Sequence, residues 1–306
     1  GSELHETLDV WMINARAHGK GQHRSTKAPP QYQPGGDLYA GHGFDAMILE
    51  DMDPVLARIR EVTGFPKVAL IGHSMGGMVE KAYLRGASGR AGIVRGFDPE
   101  LARQRSEQVL QLFTIGSPWH FRDMPAYLEF LTHALRLIPD SPEFMLPTVG
   151  PEQAPTIADP EGLRARLSAA AWKPIDRIGM PLLFPPGIVD VSQLSKKEVR
   201  RLREKAVSRI TGDLVHDFRR WIKSGRFESR GGLNYEQAIP LGVPWFSYAS
   251  PEDVLARLVD LIEEGRILGN TVVEVPGMAH VNLVYGVKSR IVARDVREKI
   301  ETASGL

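Results

Sequence analysis

Short apolar runs and helix-period stretches alternate through the first 84 residues. The run LDVWMIN at 8–14 predicts a short buried strand, and a polar stretch rich in Gly, Pro and Gln follows it through Gly43. Residues 45–63 carry apolar side chains at helical spacing and predict a helix. The run KVALI at 67–71 predicts a central strand, and 75–84 predicts the next helix.

The middle of the chain changes character after one more strand. The run VLQLFTI predicts that strand at 109–115. From 121 to 240 prolines are frequent and no stretch has a convincing strand pattern, whereas 125–137, 195–210 and 211–224 have helical character. We therefore interpret 121–240 as a helical insertion.

Strand and helix patterns alternate again after the insertion. Residues 243–248 and 270–275 predict strands, a helix at 251–264 is expected between them, and a last helix is expected at 288–303. Strands that alternate with helices are typical of a parallel sheet with crossover helices. The pattern therefore predicts an α/β protein whose sheet is built from both sides of the insertion.

Composition excludes several classes of protein and of chemistry. The 306 residues are 25% charged and 42% hydrophobic, which excludes collagen, a disulfide scaffold and a mostly disordered chain. The 38 Lys and Arg nearly balance the 37 Asp and Glu, so the net charge of +1 indicates neither a nucleic-acid nor an anionic-membrane partner. The absence of Cys excludes a Cys nucleophile, and we expect no cofactor and no metal because no matching motif is present.

The ends of the chain and its apolar stretches bear on localisation. The chain starts with Gly1 and Ser2, so we expect the natural N-terminus, and any signal peptide, to lie outside this sequence. No apolar stretch approaches the roughly 20 residues that a membrane span needs, so we expect no integral membrane segment. A soluble protein, with the cytoplasm favoured as compartment, is the resulting expectation. No pattern indicates an oligomeric state.

The segment GHSMGG at 72–77 carries the strongest local signal for chemistry. A G-x-S-x-G motif between a strand and a helix is typical of a nucleophile elbow, in which Ser74 occupies a strained turn. Small residues at Gly72 and Gly76 are expected to let neighbouring backbone approach closely. The N-terminus of the following helix offers free N–H groups to a developing oxyanion. Ser74 is therefore the predicted nucleophile, and a plain Gly-rich turn is the alternative.

A serine nucleophile needs a base and a group that orients the base. His280 follows the strand predicted at 270–275, at the sheet edge where open parallel sheets bind ligands. His73 adjoins the elbow but is expected to point away from the Ser74 side chain. The remaining seven histidines are terminal, lie in the early loop, or lie in or beside the insertion. His280 is thus the predicted base.

For the acid, the segment YASPED leaves the strand predicted at 243–248. Asp253 follows that strand and gives the chain order Ser, Asp, His. Glu252 is the nearest rival, and Asp123, after the preceding strand, is another. A carboxylate here is equally suited to partner the dipole of a helix N-terminus. Asp253 is the predicted acid, with these alternatives open.

The sequence resembles the α/β-hydrolase superfamily, specifically bacterial serine esterase or lipase-like members with a helical cap. The resemblance rests on LDVWMINARAHGKG at 8–21, KVALIGHSMGGM at 67–78, YASPEDVLA at 248–256 and VPGMAHVNLVYG at 275–286. It implies an α/β-hydrolase core at 1–120 and 241–306 with a cap at 121–240. It also implies Ser74 as nucleophile, His280 as base and Asp253 as acid.

The resemblance also bears on the oxyanion hole. In the family one donor is the N–H of the residue after the nucleophile, here Met75, and the other comes from a loop after an early strand. The chain begins too late to contain that loop. We therefore expect either that a segment with the first strands and the second donor lies outside this sequence, or that the sheet is reduced and a substitute donor completes the hole.

Several side chains are candidates for substrate contact. Trp119, His120 and Phe121, which follow the strand at 109–115, are expected to open towards the edge that carries Ser74, and His73 is a further candidate. Four large side chains of the insertion either pack the cap or line an acyl pocket: Trp172, Met180, Phe184 and Trp221. The basic helix at 195–210 is interpreted as a solvated face, with a membrane-facing or anion-binding role as the alternative.

These observations predict a serine hydrolase that cleaves carboxylic esters and acts on a small acyl ester or a lipid. An acyltransferase or a thioesterase would use the same triad, and a non-catalytic hydrolase-like binding protein is the alternative from another class.

Overall fold

The computed structural model describes residues 4, 7–13, 43–125, 187–202 and 212–305. Nearly all of the helix predicted at 125–137, and the second half of that predicted at 195–210, lie outside the described residues. So do Trp172, Met180 and Phe184.

Six strands and eight α-helices make up the described part of the chain. The strands are β1 (Val68–His73), β2 (Ala87–Arg90), β3 (Ile93–Phe97), β4 (Val109–Ile115), β5 (Trp245–Ala249) and β6 (Thr271–Glu274). The helices are α1 (Phe44–Ala46), α2 (Met52–Thr63), α3 (Met75–Leu84), α4 (Pro99–Ser106), α5 (Lys196–Arg201), α6 (Gly212–Ser224), α7 (Leu258–Leu268) and α8 (Ser289–Ser304). A π-helical turn, Met47–Asp51, joins α1 to α2, and 3₁₀ turns lie at Val191–Gln193 and Val281–Leu283.

The main sheet is parallel, as the alternation of strands and helices predicts. Its order is β1-β4-β5-β6, and every neighbouring pair is parallel. The carboxyl ends of all four strands therefore meet at one edge, where ligands bind in open sheets of this kind. The prediction that β1 is a central strand is wrong for the described residues, in which β1 pairs only with β4. An apolar run indicates that a strand is buried, but it does not specify how many other strands pair with it.

A hairpin and a helix between α3 and β4 escaped the sequence reading. Strands β2 and β3 pair antiparallel around Ala91 and Gly92, and both of these turn residues have positive φ. Asp98 then caps α4 by accepting hydrogen bonds from the N–H groups of Glu100 and Leu101. The short polar strands and the low hydrophobicity of α4 hide both elements from a search for apolar periodicity.

Two hydrophobic clusters cover opposite faces of the main sheet, because successive strand residues point to opposite sides. On β5, Trp245 packs into the cluster formed by α1, α2 and α3, whereas Phe246 and Tyr248 pack with α8. On β4, Leu112 joins the first cluster and Phe113 the second. This arrangement makes the layered α/β core that the pattern predicts.

Residues 8–13 do not form the buried strand predicted at 8–14. They have no strand pairing in the described chain, and Trp11, Met12 and Ile13 are exposed. Leu8, just before them, packs beside the α8 cluster instead. A strand is stable only when a neighbour satisfies its backbone, and a run of apolar residues does not specify that neighbour.

The helix predicted at 251–264 begins later than expected. Residues 251–257 form turns, and α7 starts at Leu258 after Arg257. Asp253 holds the preceding turn, because its Oδ1 accepts hydrogen bonds from the N–H groups of Leu255 and Ala256. The apolar periodicity of the sequence therefore extends over residues 251–257, although hydrogen bonds to the buried Asp253 carboxylate hold this part of the backbone in a turn.

Helix α6 lies within the predicted insertion yet packs on the main core. Trp221 is fully buried and meets Phe44 of α1 edge to face, with ring centroids 5.1 Å apart. It also contacts Phe121, whose ring is tilted against it, and Phe227, which it meets edge to face. Trp221 is thus a packing residue. The division into a core and a cap at 121–240 stays a prediction. None of the described helices combines the length and the apolar character that crossing a bilayer requires.

Candidate active site

Ser74 lies in a sharp turn between β1 and α3, as the G-x-S-x-G motif predicts. Its φ of 52° and ψ of −119° are unfavourable for a residue with a side chain. Its N–H donates a hydrogen bond to Ile115 O at the end of β4, at 2.9 Å. A strained serine that the ends of two strands hold in place is the geometry of a nucleophile elbow.

The elbow depends on a close approach between Gly72 and Gly77. A Cβ on Gly72 would lie 2.3 Å from the Gly77 nitrogen, and a Cβ on Gly77 would lie 2.1 Å from Ser117 Oγ. The expectation that Gly76 serves this purpose is wrong for the described residues, because a Cβ there would meet none of them within 4 Å. Both glycines of the GG pair are small, and only the path of α3 decides which one faces β1.

Met75 is the first residue of α3. The first N–H groups of a helix lack carbonyl partners within the helix, so the Met75 N–H belongs to a group of orphan donors beside Ser74. The same helix end carries the positive end of the peptide dipole. Met75 as an oxyanion donor stays a prediction.

His280 and Asp253 lie together at the carboxyl edge of the sheet. The Nδ1–H of His280 donates a hydrogen bond to Asp253 Oδ2 at 2.8 Å, and both side chains are almost fully buried. The other oxygen of Asp253 is held by backbone N–H groups of its own turn, as described above. The carboxylate is therefore fixed in a position that orients the imidazole and selects its tautomer.

The two rival carboxylates have other partners. Glu252 Oε2 accepts hydrogen bonds from Ser250 Oγ at 2.7 Å and from the Gly277 N–H at 2.8 Å, and these bonds lower the pKa of Glu252. Asp123 is exposed and pairs with Arg257 at 3.4 Å. Glu252 thus ties the histidine loop to the β5 end, and Asp253 is the carboxylate that contacts His280.

Gly116 is a site residue that sequence reasoning missed. It ends β4 with φ 54°, and a Cβ there would lie 2.9 Å from Asp253 Oδ2 and 3.3 Å from His280 Nδ1. Its neighbour Ile115 accepts the Ser74 N–H. The end of β4 is therefore the point at which the serine turn meets the histidine–aspartate pair. The Gly-Ser-Pro sequence after a strand was the available signal.

His73 contacts the loop that carries His280. Its Nε2–H donates a hydrogen bond to the His280 carbonyl at 3.1 Å, and the two rings have centroids 4.8 Å apart. Burial, with a smaller contribution from His280, lowers the pKa of His73 from 6.5 to about 3. A neutral His73 thus supports the backbone of His280, and its predicted contact with substrate stays a prediction.

Trp119 and His120 are both buried just after β4. The Nδ1 of His120 accepts the Arg122 N–H at 3.3 Å, and its Nε2 lies 3.6 Å from Asp260 on α7. The indole N–H of Trp119 has no hydrogen-bond partner within the described part of the chain. His120 is therefore engaged with α7, whereas Trp119 retains a donor. Both stay predicted substrate contacts.

A metal-dependent arrangement has no counterpart in this region. Among residues 43–125, 187–202 and 212–305, and the few described before them, no group of three or more His, Asp and Glu side chains is placed to hold an ion. The site thus consists of a serine, an imidazole, a carboxylate and backbone N–H groups.

Comparisons with known proteins bear on the fold. Residues 2–85 match the family model described as alpha/beta hydrolase fold. No curated protein matches the sequence. Similar solved structures include a monoacylglycerol lipase from Paleococcus ferrophilus, with 15% identity, coverage of 82% of this chain and 74% of that chain, and a TM-score of 0.41.

Two further similar structures are a thermophilic esterase and a lipase-esterase related protein. The esterase, from Thermogutta terrifontis, has 12% identity, covers 85% of this chain and 73% of its own, and has a TM-score of 0.40. The other, from Clostridium acetobutylicum, has 13% identity, coverage of 85% and 75%, and a TM-score of 0.42. Because these TM-scores are below 0.5, neither the fold nor the activity of this chain is inferred from these similarities. The family match over residues 2–85, the parallel sheet and the turn at Ser74 together indicate an α/β-hydrolase fold.

Proposed function

We propose that the protein is a serine hydrolase of carboxylic esters, an esterase or lipase-like member of the α/β-hydrolase superfamily. The observation that carries the proposal is the 2.8 Å contact between His280 Nδ1 and Asp253 Oδ2, at the sheet edge that also carries the strained Ser74. A nucleophile, a base and an orienting acid on three different strand ends are the parts that acyl transfer needs.

Acylation begins when Ser74 Oγ attacks the carbonyl carbon of the ester. His280 Nε2 takes the hydroxyl proton, and Asp253 stabilises the imidazolium that forms. The tetrahedral intermediate then collapses, the ester C–O bond breaks, and His280 returns the proton to the leaving alcohol. The products of this half-reaction are the free alcohol and an acyl-Ser74.

The negative oxygen of the intermediate needs hydrogen-bond donors. The Met75 N–H is the donor that we assign, because it opens α3 directly after the nucleophile. Loss of a single donor from such a site typically costs about 10²–10³ in kcat.

An ester hydrolase, an acyltransferase and a thioesterase differ in the acyl acceptor or in the bond that is cleaved. Water, activated by His280, attacks the acyl-Ser74 and releases the carboxylic acid in a hydrolase. In an acyltransferase an alcohol or thiol takes the place of water, and a thioesterase differs in the bond cleaved first. The partition of the acyl-enzyme between water and an added alcohol measures which acceptor the site prefers.

The substrate is proposed to be a small acyl ester or a lipid. Trp119, His120 and His73 lie near the catalytic edge and are the proposed contacts, and residues 121–240 are proposed to form a cap over it. Trp119 offers an unpartnered indole N–H for a substrate oxygen. An acyl chain would occupy apolar space under the cap, as in most ligand sites.

Labelling with a fluorophosphonate tests the proposal directly, because the reagent phosphonylates an activated serine. The wild-type protein should be labelled and should hydrolyse p-nitrophenyl esters. The Ser74→Ala variant should lose both properties. Ser224→Ala is the matched control, since Ser224 is an exposed serine at the end of α6, and it should behave as wild type.

The opposite results identify the alternatives. If wild-type protein is folded yet neither labelled nor active on short and long acyl esters, the protein is a non-catalytic binding member of the superfamily. If Ser74→Ala retains the label, the nucleophile is another residue.

A further inference from the structure

Two segments outside the triad interlock beside the catalytic histidine. The N–H groups of His280 and Val281 donate to the carbonyls of Gly187 and Ile188. The Asn282 side chain binds the backbone of Asp190: its Oδ1 accepts the Asp190 N–H, and its Nδ2–H donates to the Asp190 carbonyl. Residues 187–202 therefore pack against the segment 277–294, which carries His280, and the exposed residues of both segments share one surface.

This surface carries a strong local positive charge. Residues 187–202 and 277–294 contain seven Lys and Arg but two Asp and Glu, a net charge of +5 in a chain whose total is +1. Both acids are bonded within their own turns: Asp190 to Ser192 and Gln193, and Glu198 to Ser195. The near-zero charge of the whole chain thus conceals a basic region at the catalytic edge.

Exposed apolar side chains lie among the basic ones. Val191, Val287 and Ile291 expose 37%, 64% and 62% of their surfaces. Val287 and Ile291 are four residues apart where α8 begins, and Gly286 contacts Leu194 in front of α5. Protruding aliphatic residues between lysines and arginines are typical of surfaces that lie in the headgroup region of a bilayer.

We propose that this surface docks on an anionic phospholipid membrane. We call it the catalytic-edge face and define it by three apolar and three basic exposed residues, Val191, Val287, Ile291, Lys196, Lys197 and Arg201. The aliphatic side chains insert among the headgroups, and the basic side chains pair with lipid phosphates. Docking would bring the His280 loop to the bilayer. The proposal extends beyond ester hydrolysis and does not depend on Ser74 being active.

A second pair of exposed apolar residues lies on α7, outside the catalytic-edge face. Val259 and Ile262 on α7 expose 64% and 52% of their surfaces. Their neighbour Glu263 is exposed and acidic, whereas Asp260 is buried and paired with Arg257. Residues 258–268 contain a single basic residue, Arg266, so this part of α7 offers little attraction to an anionic surface, and the pair is a matched control for the catalytic-edge face.

Vesicle co-sedimentation tests the proposal without turnover. Wild-type protein should pellet with vesicles of equal parts phosphatidylcholine and phosphatidylglycerol, and much less with pure phosphatidylcholine. Added salt should weaken the binding because it screens the basic residues. Ser74→Ala should bind as wild type does, so a failure of docking and a failure of hydrolysis remain distinguishable.

Variants separate the two contributions. The triple substitution Lys196→Gln, Lys197→Gln, Arg201→Gln should lower the partition coefficient on the order of 10²-fold, since each basic residue near an anionic surface contributes about fivefold. Val287→Ser with Ile291→Ser should lower it on the order of tenfold per residue. Val259→Ser with Ile262→Ser should leave it unchanged. An unchanged melting temperature verifies that each variant is folded.

Three results would overturn the proposal. Equal binding to neutral and anionic vesicles would remove the electrostatic part. An equal loss in the α7 control would make the effect nonspecific. Binding to a soluble polyanion such as heparin with no binding to vesicles would assign the charge to a different partner.

Discussion

Adjacent carboxylates at 252 and 253 serve different parts of the same loop. Asp253 bonds the imidazole of His280, whereas Glu252 bonds the Gly277 N–H in front of it. One residue therefore orients the imidazole of His280, the proposed base, and its neighbour holds the backbone in front of it. Both side chains end in a carboxylate, and the direction in which each one points decides which group it binds.

Asp253→Asn and Glu252→Gln should therefore differ in activity. Loss of the carboxylate that selects the imidazole tautomer is expected to lower kcat about 10⁴-fold. Glu252→Gln retains an oxygen for the Gly277 N–H and should change kcat by less than about tenfold. Steady-state hydrolysis of a p-nitrophenyl ester measures both, and the reverse ranking would assign the acid to Glu252.

His73 should make stability sensitive to pH. Because its pKa in the folded protein is about 3, below the ordinary 6.5, the unfolded chain binds a proton between these values that the folded chain does not. The free energy of unfolding should therefore fall as the pH decreases from 6.5 towards 3. In His73→Asn this dependence should be shallower by up to about one proton. Urea titrations at several pH values measure the slope, and identical slopes would contradict the burial of a neutral His73.

At the scale of elements, the contact between β1 and α3 sets the elbow. Gly72 and Gly77 touch backbone to backbone, and Ser117 after β4 packs against Gly77. Helix α3 therefore starts close to the strand, and Ser74 has to adopt its unfavourable backbone angles. Stability elsewhere in the molecule offsets the strain of this turn.

Gly77→Ala should destabilise the protein by about 1–3 kcal/mol, the usual cost of overpacking. Gly76→Ala is the matched control one residue away, with open space for the methyl group, and should change stability by less than about 1 kcal/mol in the stabilising direction. Denaturant titrations compare the two. Ser117→Gly should rescue part of the Gly77→Ala loss, and a loss unaffected by it would contradict the contact.

At the scale of the whole molecule, a buried ion pair joins α3 to α7. Lys81 Nζ lies 2.8 Å from Glu264 Oε1, with both side chains almost inaccessible to water. Lys81 also donates to the carbonyls of Ser117 and Pro118 after β4. The helix that follows the nucleophile is thus tied to the segments that lead to Trp119 and to the acid. Global stability and the geometry of the catalytic edge share these contacts.

Lys81→Met should cost about 3–5 kcal/mol of stability, because buried Glu264 loses its hydrogen-bonded cation and retains only the electrostatic interaction with Arg85. Adding Glu264→Leu to it should recover part of the loss, since both charges of the hydrogen-bonded pair are then removed and, of these groups, only Arg85 remains buried. Arg58→Gln breaks an exposed pair with Glu61 and should cost less than about 1 kcal/mol. Chemical denaturation measures all three, and a Lys81→Met cost as small as that of Arg58→Gln would contradict the buried pair.

The local sequence determined the elements whose signals are local. Apolar periodicity located α3 and β4, and the motif around Ser74 with its flanking strand and helix predicted the turn. The chain order Ser, Asp, His placed Asp253 and His280 on two late strand ends, where the structure brings them into contact. These inferences succeeded because a strand, a helix and a tight turn each depend on residues close in the chain.

Tertiary structure alone decided what depends on distant partners. Within the described residues it placed β1 at the sheet edge, gave residues 8–13 no strand partner and assigned the close approach to Gly77 instead of Gly76. It also separated Asp253 from Glu252 by direction and gathered the charges of the catalytic-edge face, which cancel in the total composition. Pairing, packing and charge clustering join residues far apart in sequence, so no local pattern records them.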